Sequence, residues 1–279
     1  MNIKIESLTK KYRKNMVLDK ININIEPHIY GLMGPNGSGK TTLIRCLLQL
    51  IPYQEGTITY EQENKAIEFT KINFGYLPQV FELFQDLTVY EQLEYFLMFK
   101  NVDRKDFDDE IHRVLKMVNL SRSENMKCGQ LSGGMVRRVG IAQALLGKPD
   151  VLIFDEPTLG LDPDERLNLK RIIKSLNLNI PIILSTHIIE DVYSVCTHGI
   201  FIKDGNIEYS GELERAISEL EGKVYSCLEE DCHISEDVLI RSIDDEYVRI
   251  ISDMPLDYTF LKREKPDIND LYQYINHRK

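Results

Sequence analysis

Residues 34–42 have the types and spacing of a loop that binds phosphate. They match the pattern G-x-x-x-x-G-K-[ST], follow an apolar run and precede a helical pattern. Glycines allow backbone N–H groups to point at phosphate oxygens, Lys40 can reach the β- and γ-phosphates, and the Thr41 hydroxyl suits Mg²⁺. The residues assigned to this nucleoside triphosphate site are Gly34, Pro35, Asn36, Gly37, Ser38, Gly39, Lys40, Thr41 and Thr42. The loop alone does not separate a GTPase, a kinase or a motor.

Two carboxylates, Asp155 and Glu156, directly follow the apolar run at residues 151–154. The run predicts a buried strand, which places Asp155 at the carboxyl edge of the sheet, where ligands bind in α/β proteins. We expect Asp155 to hold Mg²⁺ and Glu156 to polarise a water for in-line attack on a γ-phosphate. Acid pairs at strand ends are common by chance, so the phosphate loop upstream is what favours catalysis.

The segment Leu-Ser-Gly-Gly-Met at residues 131–135 precedes a helical pattern. Ser132 is a good N-cap, and Gly133 and Gly134 leave N–H groups uncovered at the positive end of the helix. This predicts a second anion site, although a simple capped helix start fits the pentapeptide equally well. For Arg137 and Arg138 we favour a solvated helix face.

Hydrophobic periodicity predicts a parallel sheet that positions these groups. The strand-like segments are residues 3–8, 17–25, 29–33, 56–60, 72–76, 151–154 and 181–185, with a hairpin at 199–209. The helical segments are residues 41–50, 89–99, 107–118, 134–146 and 164–176, and in the tail 213–220 and 268–275. A helix between strands 151–154 and 181–185 is a βαβ pattern and indicates parallel pairing. A further hairpin is predicted around Asp244 and Asp245.

Composition is that of a globular protein that does not span a membrane. Of 279 residues, 43% are hydrophobic and 28% charged, and the net charge of −10 disfavours wrapping by nucleic acid. No stretch reaches the ~18 apolar residues of a membrane span, and the opening residues alternate polar with apolar, which argues against secretion. Five unpaired cysteines fit a reducing compartment, and we regard a metal site at Cys227, Cys232 and His233 as unfavoured.

Charge divides the chain near residue 211. From Gly211 onward there are 17 acidic and nine basic residues, which accounts for most of the net negative charge. We therefore predict a first domain at residues 1–212, with a helical insert at about 80–147, and an acidic accessory domain at residues 213–279.

The order of these features over residues 1–210 resembles the ATP-binding subunit of an ABC transporter. The features are the phosphate loop, Gln79, residues 131–135, Asp155-Glu156, Asp162 and His187. The resemblance implies an α/β fold: a P-loop NTPase core with an antiparallel β subdomain, a helical insert and a small α+β C-terminal extension. It also implies ATP hydrolysis, with ATP and Mg²⁺ as cofactors.

The resemblance further implies a role for individual residues. Tyr12 would stack on adenine, Gln79 would contact Mg²⁺ or the attacking water, and His187 would sense the γ-phosphate. The signature residues Ser132, Gly133 and Gly134 would contact the γ-phosphate held by the opposite subunit, and Asp162 would lie at the dimer interface. The catalytic set is then Glu156, His187 and Gln79, and the metal set is Thr41, Gln79 and Asp155.

The chain departs from the family pattern at three places. Met135 stands where many members have Gln, so a contact by that side chain is not carried over. Arg13 follows Tyr12 where the family has Gly. Residues 159–162 read Leu-Gly-Leu-Asp instead of Ser-Ala-Leu-Asp.

One phosphate loop and one signature imply that two subunits, as a homodimer or heterodimer, build two composite ATP sites. The mechanical load would be a membrane-spanning permease subunit, which places the chain peripherally on the cytoplasmic face of the membrane and leaves no nucleic-acid partner. Residues 80–84, with Phe81 and Phe84, are expected to expose two aromatics to that permease.

The segments 74–79 and 86–93 resemble exporter ATPases. The alternatives are an importer ATPase and a soluble ABC ATPase acting in translation or DNA maintenance. The latter would need two cassettes in one chain, a long coiled coil or a basic face.

Overall fold

The computed structural model describes residues 1–176, 178–232, 234, 238–242 and 246–277. The strands are β1 Asn2–Tyr12, β2 Asn15–Ile25, β3 Ile29–Met33, β4 Glu55–Gln62, β5 Lys65–Ile67, β6 Phe74–Leu77, β7 Val151–Asp155, β8 Ile182–Ser185, β9 His198–Lys203, β10 Asn206–Glu212, β11 Val224–Leu228, β12 Leu239–Ser242, β13 Tyr247–Ile251 and β14 Lys262–Arg263. The helices are α1 Lys40–Leu47, α2 Val89–Leu97, α3 Phe107–Met117, α4 Gly133–Leu145, α5 Pro163–Ser175, α6 Ile189–Val195, α7 Leu213–Ser218 and α8 Ile268–His277. His233 and the hairpin predicted around Asp244 and Asp245 lie outside the described residues.

A six-stranded sheet in the order β10-β9-β3-β8-β7-β6 forms the centre of the molecule. All neighbours pair in parallel except β9 and β10, which form the predicted hairpin through Asp204 and Gly205, both at positive φ. Every residue of β7 and β8 is buried, as expected for parallel strands that are covered on both faces. The carboxyl ends of β3, β6, β7 and β8 therefore meet at one edge.

The two faces of this sheet belong to separate apolar clusters. Leu152 and Phe154 of β7 face the cluster formed with the helical insert, α5 and α6. Val151 and Ile153, the alternate residues of the same strand, face α1 and the strands of the antiparallel sheet. The chain thus builds its core in layers around one sheet.

An antiparallel sheet in the order β2-β1-β4-β5 covers α1. Ile3 pairs with Ile25 and Ile5 with Ile23, and these residues lie on the buried face, as their alternation predicts. Together with the parallel sheet and the insert α2–α4, this confirms the predicted α/β architecture.

Predicted element ends differ from the structure by a few residues. The first helix ends at Leu47, not at residue 50, because Gln49 adopts a φ of 50°, in the left-handed region. Helix α2 begins where a capping box, Thr88 with Glu91, satisfies the first free N–H groups. Pro163 opens α5 one residue earlier than predicted, behind the N-cap Asp162.

The C-terminal region divides between two cores. Strands β11–β14 form a small sheet in the order β12-β13-β11-β14, with its own cluster around Tyr225 and Ile250. The apolar face of residues 268–275 predicts that the tail's own hairpin or a second tail covers this helix, which is right in part, because α8 lies against β12 and shares a cluster with Leu239 and Ile251. Ile268, Leu271 and Ile275 of α8 join the large cluster of the central sheet.

The two parts of the tail are joined by a buried ion pair. Arg249 of β13 donates to both carboxylate oxygens of Asp270 on α8, at 3.0 and 2.6 Å, and Asp270 is fully buried. No helix in the described ranges is both long and apolar enough to cross a bilayer.

Because α8 packs in the main core, we expect the loss of one of its buried side chains to destabilise the whole molecule. Leu271→Ala removes a side chain that is 3% exposed and should lower the free energy of unfolding by about 2–5 kcal/mol in a single transition. Denaturant unfolding followed by circular dichroism measures this. Met254→Ala, at a residue 75% exposed, is the control, with a change of about 0.5 kcal/mol or less. A separate early transition for Leu271→Ala would show that the tail unfolds independently.

Candidate functional site

The phosphate loop runs from the end of β3 to the start of α1 and is held in a conformation that needs glycine. Gly34 has a φ of 154°, and a Cβ there would lie 2.0 Å from the Ile202 carbonyl oxygen. Gly39, at φ 113°, would place a Cβ 2.8 Å from the Val17 carbonyl oxygen. Both positions pack the loop backbone directly against β2 and β9.

Lys40 is buried at the first position of α1. Its Nζ donates to the carbonyl oxygens of Gly34 and Pro35, at 2.7 and 3.1 Å, inside the loop. Burial lowers the pKa of Lys40, while the nearby Glu156 and Asp155 carboxylates oppose that shift. The ammonium is therefore desolvated and stands close to both acids, as a phosphate-binding lysine requires.

Ser38 Oγ is a buried hydroxyl without a hydrogen-bond partner among the described residues. Its residue is 5% exposed and lies within the loop. Buried polar groups are normally satisfied, so this oxygen marks a place for a polar atom that is not part of the chain.

Asp155 and Glu156 stand at the end of β7, as predicted. Asp155, 2% exposed, accepts a hydrogen bond of 2.5 Å from Ser185 Oγ on β8. Glu156 has a φ of 51°, an uncommon conformation for a residue other than glycine, and its N–H donates to the Ser185 carbonyl at 3.0 Å. The turn aims the Glu156 carboxylate along the sheet edge towards His187.

His187 follows β8 and remains accessible. Its Nδ1 lies 3.0 Å from Glu156 Oε2, and 46% of its side chain is exposed. His187 is therefore not a core residue. The pair forms a carboxylate and an imidazole that share one hydrogen bond at the mouth of the site.

These segments meet at an open cavity of about 180 Å³. Its lining residues are Val17, Asn36, Gly37, Gly39, Lys40, Thr41, Thr42, Gln79 and Glu156. Tyr12 is not part of this lining. The Tyr12 ring is 44% exposed, with Lys10 Nζ 4.8 Å from its centroid.

Gln79, two residues after β6, is exposed and reaches the cavity. Its main chain is fixed from the helical insert: Arg137 Nη2 donates to the Gln79 carbonyl at 2.8 Å, and Nη1 to the Pro78 carbonyl at 3.4 Å. The interpretation of Arg137 as part of a solvated helix face was wrong, because its guanidinium is half-buried against this loop, which lowers its pKa. Arg138 is also only partly exposed and contacts the Asn119 carbonyl at 3.3 Å.

Ser132, Gly133 and Gly134 begin α4 but do not line the cavity. Ser132 Oγ accepts from the Met135 N–H, which confirms the N-cap, and donates to Glu165 Oε1 at 2.9 Å. A Cβ at Gly134 would meet the Glu165 carboxylate, whereas a Cβ at Gly133 would meet nothing within 4 Å. Ser132 and Gly133 are thus exposed, whereas Gly134 is buried beside Glu165.

Asp162 caps α5 by accepting from the Glu165 N–H at 2.8 Å, and its side chain is exposed. An interface role for Asp162 stays a prediction.

Asp191 is a fully buried acid in α6 that sequence reasoning missed. It accepts from Thr158 Oγ1 at 2.8 Å and from Arg166 Nε at 2.8 Å, and Lys170 Nζ lies 3.1 Å away. Two cations and a hydroxyl compensate the buried charge. The network ties the turn after Glu156 to α5 and to the helix after His187.

The sequence model of the ABC transporter family matches residues 18–159. The ABC transporter ATP-binding protein YxlF of Bacillus subtilis is 32% identical over 225 residues, which cover 80% of this chain and 75% of that protein. The Nod factor export ATP-binding protein I of Cupriavidus metallidurans is 33% identical, covering 73% of this chain and 68% of its own. The methionine import ATP-binding protein MetN of Clostridium tetani is 31% identical, covering 82% of this chain and 75% of its own.

The dimeric, post-hydrolysis structure of the ATP-binding cassette MJ0796 with ADP and Pi has a TM-score of 0.65 and 30% identity, over 76% of this chain and 98% of that one. The family model, the relatives and the solved structure all agree with the phosphate loop at residues 34–42, the acids Asp155 and Glu156, and the signature at residues 131–135. The chain therefore belongs to the ABC transporter family, in which it is an ATP-binding subunit that hydrolyses ATP.

Proposed function

We propose that this chain binds ATP with Mg²⁺ in composite sites formed by two subunits and drives a membrane-spanning export subunit. The observation that carries the proposal is the placement of the Glu156 carboxylate on the cavity of the phosphate loop, 3.0 Å from His187. That arrangement supplies a base, a hydrogen-bond partner for phosphate and a lysine in one place.

The ATP-binding role of residues 34–42 is supported by the buried Lys40 and the unpartnered Ser38 hydroxyl. Lys40 gives up carbonyl partners of its own loop when it binds β- and γ-phosphate oxygens, and the uncovered N–H groups at the start of α1 add the positive end of the helix dipole. Adenine stacking by the exposed Tyr12 remains part of the proposal.

The residues present fit Mg²⁺. Thr41 and Gln79 line the cavity, and the neighbouring Asp155 stands at the strand end, so hydroxyl, amide and carboxylate oxygens are available. These hard oxygen donors are the ligands that Mg²⁺ prefers when phosphates complete its shell. The ion would neutralise charge on the phosphates.

Glu156 is proposed to accept the proton of the attacking water. A neutral His187 imidazole carries one N–H, which can donate either from Nδ1 to Glu156 Oε2, holding the carboxylate in place, or from Nε2 to the γ-phosphate. Ser185 accepts from the Glu156 N–H and donates to Asp155, so it fixes the base beside the carboxylate that would hold the ion.

Two features support composite sites. The signature residues do not line the cavity of their own subunit, and the surroundings of Gly133 are empty. A second subunit in head-to-tail orientation would bring Ser132, Gly133 and Gly134 to the γ-phosphate bound on the first, with Asp162 at the interface.

An aromatic patch beside Gln79 supports a permease partner. Of the two aromatics predicted to be exposed, Phe84 is 56% exposed, whereas Phe81 is half-buried and stacks on Phe96 at 6.3 Å. The Phe84 ring contacts Tyr95 at 5.4 Å, and Tyr95 contacts Phe99 at 5.3 Å. With Val80 and Met98 these rings form the apolar surface that we propose binds a short helix of the permease.

Export is proposed because the segments around Gln79 and Thr88 resemble exporter ATPases. Relatives include both a Nod factor exporter subunit and a methionine importer subunit, so import is the alternative. A soluble role in translation or DNA maintenance is less supported, since the net charge of −10 disfavours nucleic-acid contact. The chain would lie peripherally on the cytoplasmic face, with residues 1–212 as the ATPase domain and 213–279 as an accessory domain.

We expect Glu156→Gln to retain ATP binding and lower hydrolysis by about 100–10,000-fold, because it keeps the shape and removes the proton acceptor. A closed dimer should accumulate with ATP, as measured by sedimentation. Lys40→Ala should instead lose ATP affinity, since a charge-assisted phosphate contact disappears. The exposed Glu214→Gln is the charge-matched control, and near-normal phosphate release from Glu156→Gln would refute Glu156 as the base.

Mixing inactive Lys40→Ala with inactive Ser132→Arg subunits should restore activity, because each heterodimer keeps one intact site. Phosphate release at an equal ratio should reach about a quarter of the wild-type value if pairing is random. Confirmed mixed dimers that stay inactive at every ratio would show that each site is closed within one chain.

Phe84→Asp should lower copurification with the permease by at least about tenfold and leave basal ATP hydrolysis unchanged, because it charges the centre of the apolar patch. Tyr193→Asp, at an equally exposed aromatic on α6, is the matched control. Unchanged copurification of Phe84→Asp with the permease would refute this patch as the binding surface.

In vesicles that hold the complex of this chain with its permease, we expect ATP hydrolysis and export to proceed without an extracellular binding protein. ATP hydrolysis that depends on such a protein added at the outer face would identify an importer.

A further inference from the structure

Helix α4 is attached to the Gln79 segment along most of its length. Arg137 donates to the carbonyls of Pro78 and Gln79, and Gln143 Nε2 donates to the Tyr76 carbonyl at 2.5 Å. Between them, a Cβ at Gly140 would approach the side chains of Leu77 and Phe81 to 2.5 and 3.0 Å. The helix and residues 76–81 therefore pack as one unit.

Of the α4 residues that make these contacts, Arg137 is nearest in sequence to Ser132 and bonds the Gln79 main chain itself. It lies little more than one turn after Ser132 in α4, and its guanidinium holds the main chain of Gln79. A planar guanidinium can bond two neighbouring carbonyls at once, which a lysine ammonium does with less geometric control. The bond to the Gln79 carbonyl, at 2.8 Å, is the shorter of the two.

The two ends of this connection serve different nucleotides. Under the function proposed above, on which this inference rests, Gln79 acts on ATP bound to its own subunit, whereas Ser132 acts on ATP bound to the partner. Because the connection between them is rigid, a shift of Ser132 at the partner's nucleotide also moves Gln79 at the subunit's own nucleotide.

We propose that Arg137 is the positioning residue that couples the two ATP sites of the dimer, by fixing the Gln79 main chain to the signature helix. Arg137 does not line the phosphate cavity, so it acts through Gln79 and Ser132 and not on ATP itself. Its neighbour Arg138 contacts only the Asn119 carbonyl among the described residues, away from Gln79. The two adjacent arginines thus form a natural matched pair.

The test uses heterodimers with one live site. One subunit carries Ser132→Arg and supplies Lys40, Gln79 and Glu156 to the live site; the other carries Lys40→Ala and supplies Ser132. Arg137→Met is placed in either subunit, and phosphate release is measured against ATP concentration.

We expect kcat to fall by about 10–100-fold for either placement, with KM changed by less than about threefold, because a small misplacement of positioned groups costs rate more than binding. Arg137→Lys should recover part of the rate, and Arg138→Met should stay within about twofold of the parent. Circular dichroism of each variant subunit, and ATP binding by the subunit that keeps Lys40, confirm that it is folded.

An effect only when Arg137→Met is in the subunit that supplies Gln79 would overturn the coupling, because Arg137 would then support its own loop alone. Unchanged kcat for both placements would overturn it as well. If Arg137→Met does not fold, Arg137→Lys in the same two placements decides by the same comparison. An inactive parent heterodimer would refute the composite sites and so the proposed function itself, which separates the two failures.

Discussion

The carboxyl edge of the parallel sheet is the constraint on which the site depends. β3, β6, β7 and β8 run in the same direction, so the segments that follow them emerge side by side although they are distant in sequence. The phosphate loop follows β3, Gln79 follows β6, Glu156 follows β7 and His187 follows β8. Burial of β7 and β8 on both faces fixes this register, since a slip would expose apolar residues.

Buried polar contacts behind that edge hold the site residues in place. Asp191 gathers Thr158, Arg166 and Lys170, and so connects the turn after Glu156 with α5 and α6. Removal of any one partner would leave charge uncompensated in a fully buried position, which is costly. Hydrogen bonds from α4 play the same part for Gln79. The groups at the cavity are therefore supported by polar contacts that themselves never touch it.

Sequence patterns predicted what depends on local spacing. The alternation of Ile3 and Ile5, the motif around Lys40, the strand before Asp155 and the cap at Ser132 were all readable, and the structure agrees with them. Contacts between segments distant in sequence were not readable: Arg137 on Gln79, Glu165 on Ser132 and the Asp191 network depend on how helices meet in space. The contact of α8 with the main core was missed for that reason, because an apolar stripe does not identify every surface that covers it.

The empty surroundings of Gly133 have a practical consequence for interpreting sequence variants. Because a Cβ there would meet no described atom within 4 Å beyond its own helix and chain neighbours, Gly133→Ala should fold normally and pass any screen based on melting temperature or expression level. At Gly34, by contrast, the same change collides with the backbone of β9 and would be detected at once. Such screens would therefore detect a substitution at Gly34 and miss one at Gly133. Under the proposed composite sites, the effect of the Gly133 substitution would be visible only in assays of the assembled complex.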